Sequence, residues 1–345
     1  MNNDRTEISS LGEFGLIDHL TRNIELHHVS SVLGVGDDAA VIDHFGKQTV
    51  VSTDLLIEGV HFDLGYTPLK HLGYKSVVVN LSDIYAMNAT PTQITMSIGI
   101  SNRFGLEALD EFYEGVYAAC SAYQVDLVGG DTTSSSKGFV ISVTAIGEVT
   151  PGLFVKRSTA RKGDLLCVSG DLGGAYVGLL FLEREKRIFM ESPGVQPDLE
   201  NETYVIGRLL KPEARRDIVD FFAEQNILPT AMMDISDGLS SEILHICKDS
   251  NLGCVLYEDK IPVSEDMKKA AFKFEIDPTA CALSGGEDYE LLFTVSQEEY
   301  EKLVLNENIS VVGYMTDAEE GANIITRGGS RHPITAQGWN ALKGS

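Results

Sequence analysis

Hydrophobic residues recur along the chain with either helical or strand spacing. Phe14, Ile17, Leu20 and Ile24 lie on one helical face, which predicts a short amphipathic helix over residues 5–29. In the first half of the chain, the same pattern predicts further helices over 69–88 and 104–122 and strands over 48–53, 92–100 and 139–149. Strands that alternate with helices in this order indicate an α+β unit of ferredoxin-like type.

The pattern changes after Pro151. Residues 155–163 form a locally basic linker in an acidic chain. Beyond it we predict a strand over 164–169, a Gly-rich turn and a helix from 175, a strand over 231–235 and a helix from 238, and two apolar runs around Gly285-Gly286. We therefore predict an N-terminal domain over 1–152 and a mixed α/β domain over 153–345.

The composition narrows the class of protein. A chain of 345 residues with 43% hydrophobic residues can build two packed domains. Lys and Arg number 27 against 51 Asp and Glu, a formal net charge of -24. That balance argues against a nucleic-acid partner and against an anionic membrane surface. A phosphate substrate remains compatible with it, because clustered carboxylates can hold divalent cations that reverse the local field.

The cysteines and the apolar runs indicate the compartment. Five Cys are scattered without a CxxC pair, which is typical of reduced, buried thiols. The first residues lack the apolar core of a signal peptide, and no run approaches 18 apolar residues. We therefore expect a cytoplasmic protein that does not cross a membrane.

Many acidic residues follow apolar runs and stand beside Gly, Ser or Thr. The group comprises Asp37, Asp38, Asp54, Asp83, Asp131, Asp171, Asp234 and Asp237. Any one of them is more often a solvated turn residue or a helix cap. Together they would repel one another, by about 4 kcal/mol for a pair at ~4 Å and an effective dielectric near 20. Oxygen ligands without His or Cys at metal spacing favour Mg²⁺, which in turn favours a nucleotide partner.

One glycine-rich motif allows more than one interpretation. Gly34-Val-Gly36-Asp37-Asp38-Ala39 matches G-x-G-x-x-A, but no helix-length segment follows, so we reject a dinucleotide fold. A metal-binding turn and a simple β-turn with Asx hydrogen bonds both remain open. The P-loop, protein-kinase and G-x-S-x-G motifs are absent from the sequence, so no covalent nucleophile is predicted.

Seven motifs in order carry a family resemblance. They are Gly34-Val-Gly-Asp-Asp-Ala-Ala40, Ser52-Thr-Asp-Leu-Leu-Ile-Glu-Gly-Val-His-Phe62, Val79-Asn-Leu-Ser-Asp-Ile84, Gly129-Gly-Asp-Thr-Thr133, Lys156-Arg-Ser158, Met233-Asp-Ile-Ser-Asp-Gly-Leu239 and Ser284-Gly-Gly-Glu-Asp-Tyr-Glu290. The series spans almost the whole chain. It resembles the thiamine-monophosphate kinase family, within the superfamily of aminoimidazole ribonucleotide synthetase-like ATP enzymes.

The resemblance implies an activity and a set of site residues. It implies direct in-line phosphorylation of thiamine phosphate by ATP with several Mg²⁺ ions, in a homodimer joined through the N-terminal sheets. The implied metal ligands are Asp38, Ser52, Thr53, Asp54, Asp83, Asp131, Asp234 and Asp237. The implied ATP-binding residues are Gly130, Asp131, Arg157, Ser236 and Tyr113.

The resemblance assigns His61, Glu287 and Trp339 to the thiamine-phosphate pocket. Each of the three could instead have a purely structural role. His61 could be a hydrogen-bonded residue of an apolar segment, Glu287 could cap the turn after Gly285-Gly286, and Trp339 could belong to the core. A cationic thiazolium would stack well on the indole of Trp339.

Two alternative functions remain from the sequence. One is a sister ATP enzyme with another acceptor. Of these, the hydrogenase-maturation dehydratase needs a C-terminal Cys and selenophosphate synthetase needs an N-terminal one, and we expect neither here. The other is a non-catalytic acidic protein that binds divalent cations or nucleotides.

Overall fold

The computed structural model describes residues 31–33, 37–44, 46–101 and 103–336. The predicted helix over 5–29 and Trp339 lie outside these residues. Two β-sheets with their own helices make up the described part of the chain. None of its helices combines the length and the hydrophobicity needed to cross a bilayer.

Among the described residues, the first sheet has six strands in the order β1-β2-β3-β6-β4-β5. The strands are β1 Ser31–Leu33, β2 Ala40–His44, β3 Lys47–Ile57, β4 Thr90–Ile100, β5 Asp126–Ser134 and β6 Val140–Val149. Neighbours pair antiparallel except β4 and β5, which are parallel. Residues of β6 alternate between buried and partly buried, so one face of the sheet lines a core.

Two helices accompany this sheet, α1 Leu69–Ala86 and α2 Leu106–Tyr123. Helix α1 packs against β3, β4 and β6, and α2 packs against α1. The two helices approach closely at Gly73, where an added Cβ would lie 1.9 Å from the Phe112 carbonyl oxygen. Because α1 is enclosed on nearly every side, its polar residues are buried with its apolar ones.

The second sheet has seven strands in the order β13-β12-β9-β11-β7-β10-β8. The strands are β7 Leu165–Ser169, β8 Ala231–Asp234, β9 Leu252–Tyr257, β10 Leu291–Val295, β11 Ile309–Asp317, β12 Ala322–Ile325 and β13 Arg331–Pro333. Only β9 and β12 pair in parallel. The helices of this half are α3 Gly174–Glu191, α4 Thr203–Leu210, α5 Arg216–Gln225, α6 Leu239–Ser250, α7 Glu265–Phe272, α8 Pro278–Ser284 and α9 Tyr300–Leu303.

The two halves share one hydrophobic core. Buried residues of α1 and α2 belong to the same cluster as Phe222 on α5 and Phe293 on β10. Phe222 and Phe293 themselves meet edge to face, with ring centroids 5.0 Å apart. This continuity holds the end of β8 in a fixed position relative to α1.

The predicted α+β class is confirmed, and one strand of the first half was missed. Strand β5 was not predicted, because its Gly, Asp and Thr residues are almost all exposed and lack an apolar alternation. The two apolar runs predicted around Gly285-Gly286 form helix α8 and strand β10. The proposed domain limits, 1–152 and 153–345, stay a prediction.

Candidate active site

Three aspartates from distant parts of the chain meet between the two halves. Asp38 precedes β2, Asp83 lies on α1, and Asp234 ends β8. Each offers one carboxylate oxygen, and these three oxygens lie within 4.8 Å of one another. We call this group the carboxylate cluster.

Burial makes the charge of the carboxylate cluster unfavourable. It is the largest cause of a raised pKa at Asp38, Asp83 and Asp234, and the carboxylates of the neighbouring aspartates raise the pKa of Asp38 and Asp83 further. One oxygen of Asp38, Oδ2, is buried without a hydrogen-bond partner among the described residues. An oxygen-only donor set with an unsatisfied buried oxygen fits Mg²⁺.

Strand β3 contributes two polar side chains on the face toward the cluster. Ser52 Oγ donates a hydrogen bond to Asp83 Oδ2 at 2.5 Å. Burial, and then the charge of Asp234, raises the pKa of Asp54 to about 6. Thr53 points to the opposite face, where its hydroxyl lies 3.0 Å from the Val143 carbonyl oxygen. The Thr53 side chain is therefore turned away from the cluster.

Arg157 supplies positive charge at one side of the cluster. Its backbone N–H donates to Asp37 Oδ2 at 3.1 Å, and its guanidinium forms ion pairs with Asp37 and Asp38. The ion pairs with these two carboxylates offset the cost of burying the charge of the Arg157 guanidinium. Asp37 belongs to the acidic group of the sequence, but the family resemblance gave it no role in the site.

Helix α1 brings buried polar residues to the site that sequence reasoning missed. Ser82 Oγ donates to Asp234 Oδ2 at 2.6 Å, and the Asn80 side-chain oxygen accepts the Asp54 backbone N–H at 3.0 Å. Both residues are almost completely buried. The available signal was the polar residues that interrupt the apolar run over 77–84, because a buried polar side chain is costly unless it has a hydrogen-bond partner.

The segment after β8 carries Ser236 and Asp237. Glu242, one turn into α6, accepts the Asp237 backbone N–H at 2.8 Å. Burial raises the pKa of Glu242 well above its usual range, and its Oε2 has no partner among the described residues. Ser236 is exposed, and its carbonyl oxygen accepts the Glu287 backbone N–H at 2.7 Å.

The loop from 285 to 290 is held tightly against that segment. An added Cβ at Gly286 would lie 2.3 Å from the Ser236 carbonyl oxygen, so a side chain cannot be accommodated. Glu287 and Tyr289 both have left-handed backbones, with φ of 64° and 51°. Such strain persists only where the surroundings fix the conformation, and it is frequent at functional sites.

A buried ion-pair network anchors the end of this loop. Glu290 pairs with Arg208 at 3.0 Å and with Arg215, and it accepts the Ser169 hydroxyl at 2.5 Å. Asp288 accepts the Gly173 N–H at 2.7 Å, ahead of α3. Sequence reasoning missed this network, because Arg208 and Arg215 are far in sequence from Glu290 and neither marks it as a partner.

His61 lies in the turn after β3. Its Nδ1 accepts the Ile57 backbone N–H at 3.0 Å, which leaves Nε2 as the protonated nitrogen of the neutral ring. The backbone of this turn therefore fixes the ring orientation.

Sequence profiles of two domains cover most of the chain. The AIR synthase related protein N-terminal domain matches residues 36–149, and the C-terminal domain of the same family matches residues 161–327. The thiamine-monophosphate kinase of Bacillus subtilis is 32% identical over 342 residues, which cover 96% of this chain and 100% of that protein. The thiamine-monophosphate kinase of Aquifex aeolicus is 35% identical over 332 residues, covering 96% and 98%.

The chain belongs to the thiamine-monophosphate kinase family. A solved structure described as "AaThiL complexed with AMPPCP and TMP" superposes with a TM-score of 0.81 at 32% identity, covering 98% of this chain and 99% of that one. The hydrogenase maturation protein HypE in complex with ATP has a TM-score of 0.67 at 20% identity and shares the fold.

Three residues that the family resemblance assigned to the site are not bonded directly to the carboxylate cluster. Gly130 and Asp131 lie on the exposed strand β5, beside Met96 and Ser97 of β4. Tyr113 packs on α2 in ring contact with Phe112 and Tyr117. No hydrogen bond or ion pair among the described residues joins these three to the cluster. Their roles in this member of the thiamine-monophosphate kinase family stay predictions.

Proposed function

We propose that this family member transfers the γ-phosphoryl group of ATP to the phosphate of thiamine phosphate, giving ADP and thiamine diphosphate. One observation of the site supports the reaction class most directly, namely three carboxylates, one buried and two partly buried, drawn from both halves of the chain into one group. Phosphoryl transfer needs positioning and neutralisation of charge more than covalent chemistry. It therefore suits a site in which the motifs of covalent catalysis are missing.

Divalent metal belongs to the proposal. Mg²⁺ held by Asp38, Asp83 and Asp234 would neutralise negative charge on the phosphate oxygens. Further ligands for several ions are proposed from the family resemblance, namely Ser52, Thr53, Asp54, Asp131 and Asp237.

Arg157 and Gly130 are proposed to bind the ATP phosphates, together with Asp131, Ser236 and Tyr113. The Arg157 guanidinium is planar and permanently charged, and it grips phosphate oxygens in pairs. An added Cβ at Gly130 would lie 1.8 Å from the Met96 carbonyl oxygen. The close pairing of β5 with β4 therefore requires glycine at this position. Gly130 is also exposed, so a nucleotide can approach its backbone.

The acceptor is proposed to bind between His61, Glu287 and Trp339. The Glu287 carboxylate suits a cationic thiazolium, and its side chain is 31% exposed, so it can reach a ligand.

A homodimer through the first sheet is also proposed. Strand β5 forms an edge of the described sheet, and Val128 on it is 59% exposed, which makes it a surface that needs cover.

We propose a cytoplasmic location for the enzyme. All five cysteines are buried and unpaired, as expected where thiols stay reduced.

The test is a product assay. Purified protein is incubated with ATP, Mg²⁺ and thiamine phosphate, and the products are separated by chromatography. We expect ADP and thiamine diphosphate in equal amounts, and neither when EDTA replaces Mg²⁺. Release of ADP only with another phosphorylated acceptor would favour a sister enzyme. Nucleotide binding without any ADP would favour the non-catalytic alternative.

A further inference from the structure

Helix α1 carries a lysine in its buried interior. The Lys75 side chain is only 4% exposed, although lysine is almost never fully buried without a partner. Its ammonium lies 2.9 Å from Glu287 Oε1 and donates to the Leu209 carbonyl oxygen at 3.1 Å. Both partners belong to the second half of the chain, whereas Lys75 belongs to the first.

The partner of Lys75 is poised between the protein interior and solvent. Glu287 stands in a left-handed backbone conformation, and its side chain is 31% exposed against 4% for Lys75. The carboxylate therefore has the buried ammonium on one side and open space on the other. After burial, the charges of Glu287 and Asp54 are the main causes that raise the pKa of Tyr289, so Tyr289 lies within electrostatic reach of both.

The same helix also holds a member of the carboxylate cluster. Asp83 follows Lys75 by eight residues, or about 12 Å along a helix axis. One rigid element thus fixes both the ammonium that contacts Glu287 and a carboxylate proposed to hold the metal. The separation of Lys75 and Asp83 is therefore set by the geometry of helix α1 rather than by a loop.

We propose that Lys75 is a positioning residue of the acceptor site, whose ammonium aims the Glu287 carboxylate at the acceptor. The inference rests on the proposed function, through the role of Glu287. The alternative is that Lys75 only joins the two halves of the chain. That role does not account for a buried lysine here, because other side-chain hydrogen bonds already join the halves. Ser82 bonds Asp234, and the Tyr74 hydroxyl donates to Glu213 at 2.6 Å.

The test separates acceptor binding from nucleotide binding. Lys75→Met keeps the length and apolar stem but removes the charge. We expect the KM for thiamine phosphate to rise about 10- to 100-fold, as for a misplaced binding group, while the KM for ATP stays within about twofold. Lys70→Met is the matched control, since Lys70 lies on the same helix but pairs with Glu114 at the surface. It should leave both KM values unchanged.

A double-mutant cycle tests the route of the effect. In a Glu287→Gln background, Lys75→Met should change the acceptor KM by less than about twofold, because the group it positions is already lost. If Lys75→Met does not fold, Lys75→Gln replaces it in the cycle. An unchanged acceptor KM in folded variants, equal changes in both KM values, or additive effects with Glu287→Gln would overturn the inference.

The cycle also distinguishes this inference from the proposed function. Turnover of thiamine phosphate by the unmodified protein decides the function before any variant is compared. If another phosphorylated acceptor is the substrate, the same cycle is run with that acceptor. A selective change in its KM supports the positioning role, and no change refutes it.

Discussion

Replacing Asp54 by Asn should stabilise the metal-free protein while removing its activity. Burial and Asp234 raise the pKa of Asp54 from 3.8 to about 6. The folded state therefore holds this proton more tightly than the unfolded chain, and ionisation lowers stability as the pH rises through that window. The pKa shift corresponds to ~3 kcal/mol of lost stability when Asp54 is fully ionised. Partial solvent access lowers the increase in the free energy of unfolding that we expect for Asp54→Asn to ~1–3 kcal/mol.

The pH dependence separates this explanation from a general packing effect. Urea unfolding in EDTA is measured for wild type and Asp54→Asn from pH 4.5 to 8. We expect the variant to be more stable at pH 7.5, and the gain to shrink toward pH 4.5 as wild-type Asp54 becomes protonated. Asp110→Asn, an exposed change on α2, is the control and should be neutral throughout. A variant that is less stable at pH 7.5, or a gain independent of pH, would refute the reasoning.

Three further predictions concern activity, ligand binding and stability. Asp131→Asn should abolish turnover yet change the free energy of unfolding by less than about 0.5 kcal/mol, since β5 is exposed; normal turnover would remove Asp131 from the metal shell. Mg²⁺ with a non-hydrolysable ATP analogue should bind far more tightly than Mg²⁺ alone in calorimetry, with proton release near pH 6 from Asp54; equal affinities would favour a simple metal binder. Glu290→Gln should lower the free energy of unfolding by about 3–5 kcal/mol in urea melts, because Arg208 and Arg215 lose a buried partner. A decrease below about 1 kcal/mol would mean that this ion-pair network contributes little to stability.

The sequence predicts the class of fold and the long helices because their apolar periodicity reflects burial directly. Helix α1, predicted over 69–88, is observed at Leu69–Ala86. Strand β5 escapes this reasoning because its exposed face has no apolar alternation. Propensity and pattern carry no signal for a strand that is held mainly by pairing with β4.

The candidate site is predictable in its residue types and less so in its partners. Asp83 and Asp234 stand out only as members of the acidic group, because several carboxylates that follow apolar runs would repel one another without a cation. The contact of Lys75 with Glu287 depends on how two distant elements pack, and neither residue marks the other in the sequence. The same holds for Arg157, whose pairing with Asp37 arises only when the linker crosses the cluster.

The central claim is that the carboxylate cluster is a cation site for a metal–nucleotide complex. Crystals grown with Mn²⁺ and a non-hydrolysable ATP analogue allow the metal to be located by anomalous scattering. We predict a peak within bonding distance, about 2.0–2.2 Å for a small divalent cation, of carboxylate oxygens from Asp38, Asp83 and Asp234. Nucleotide bound with no anomalous peak among these three side chains would contradict the account.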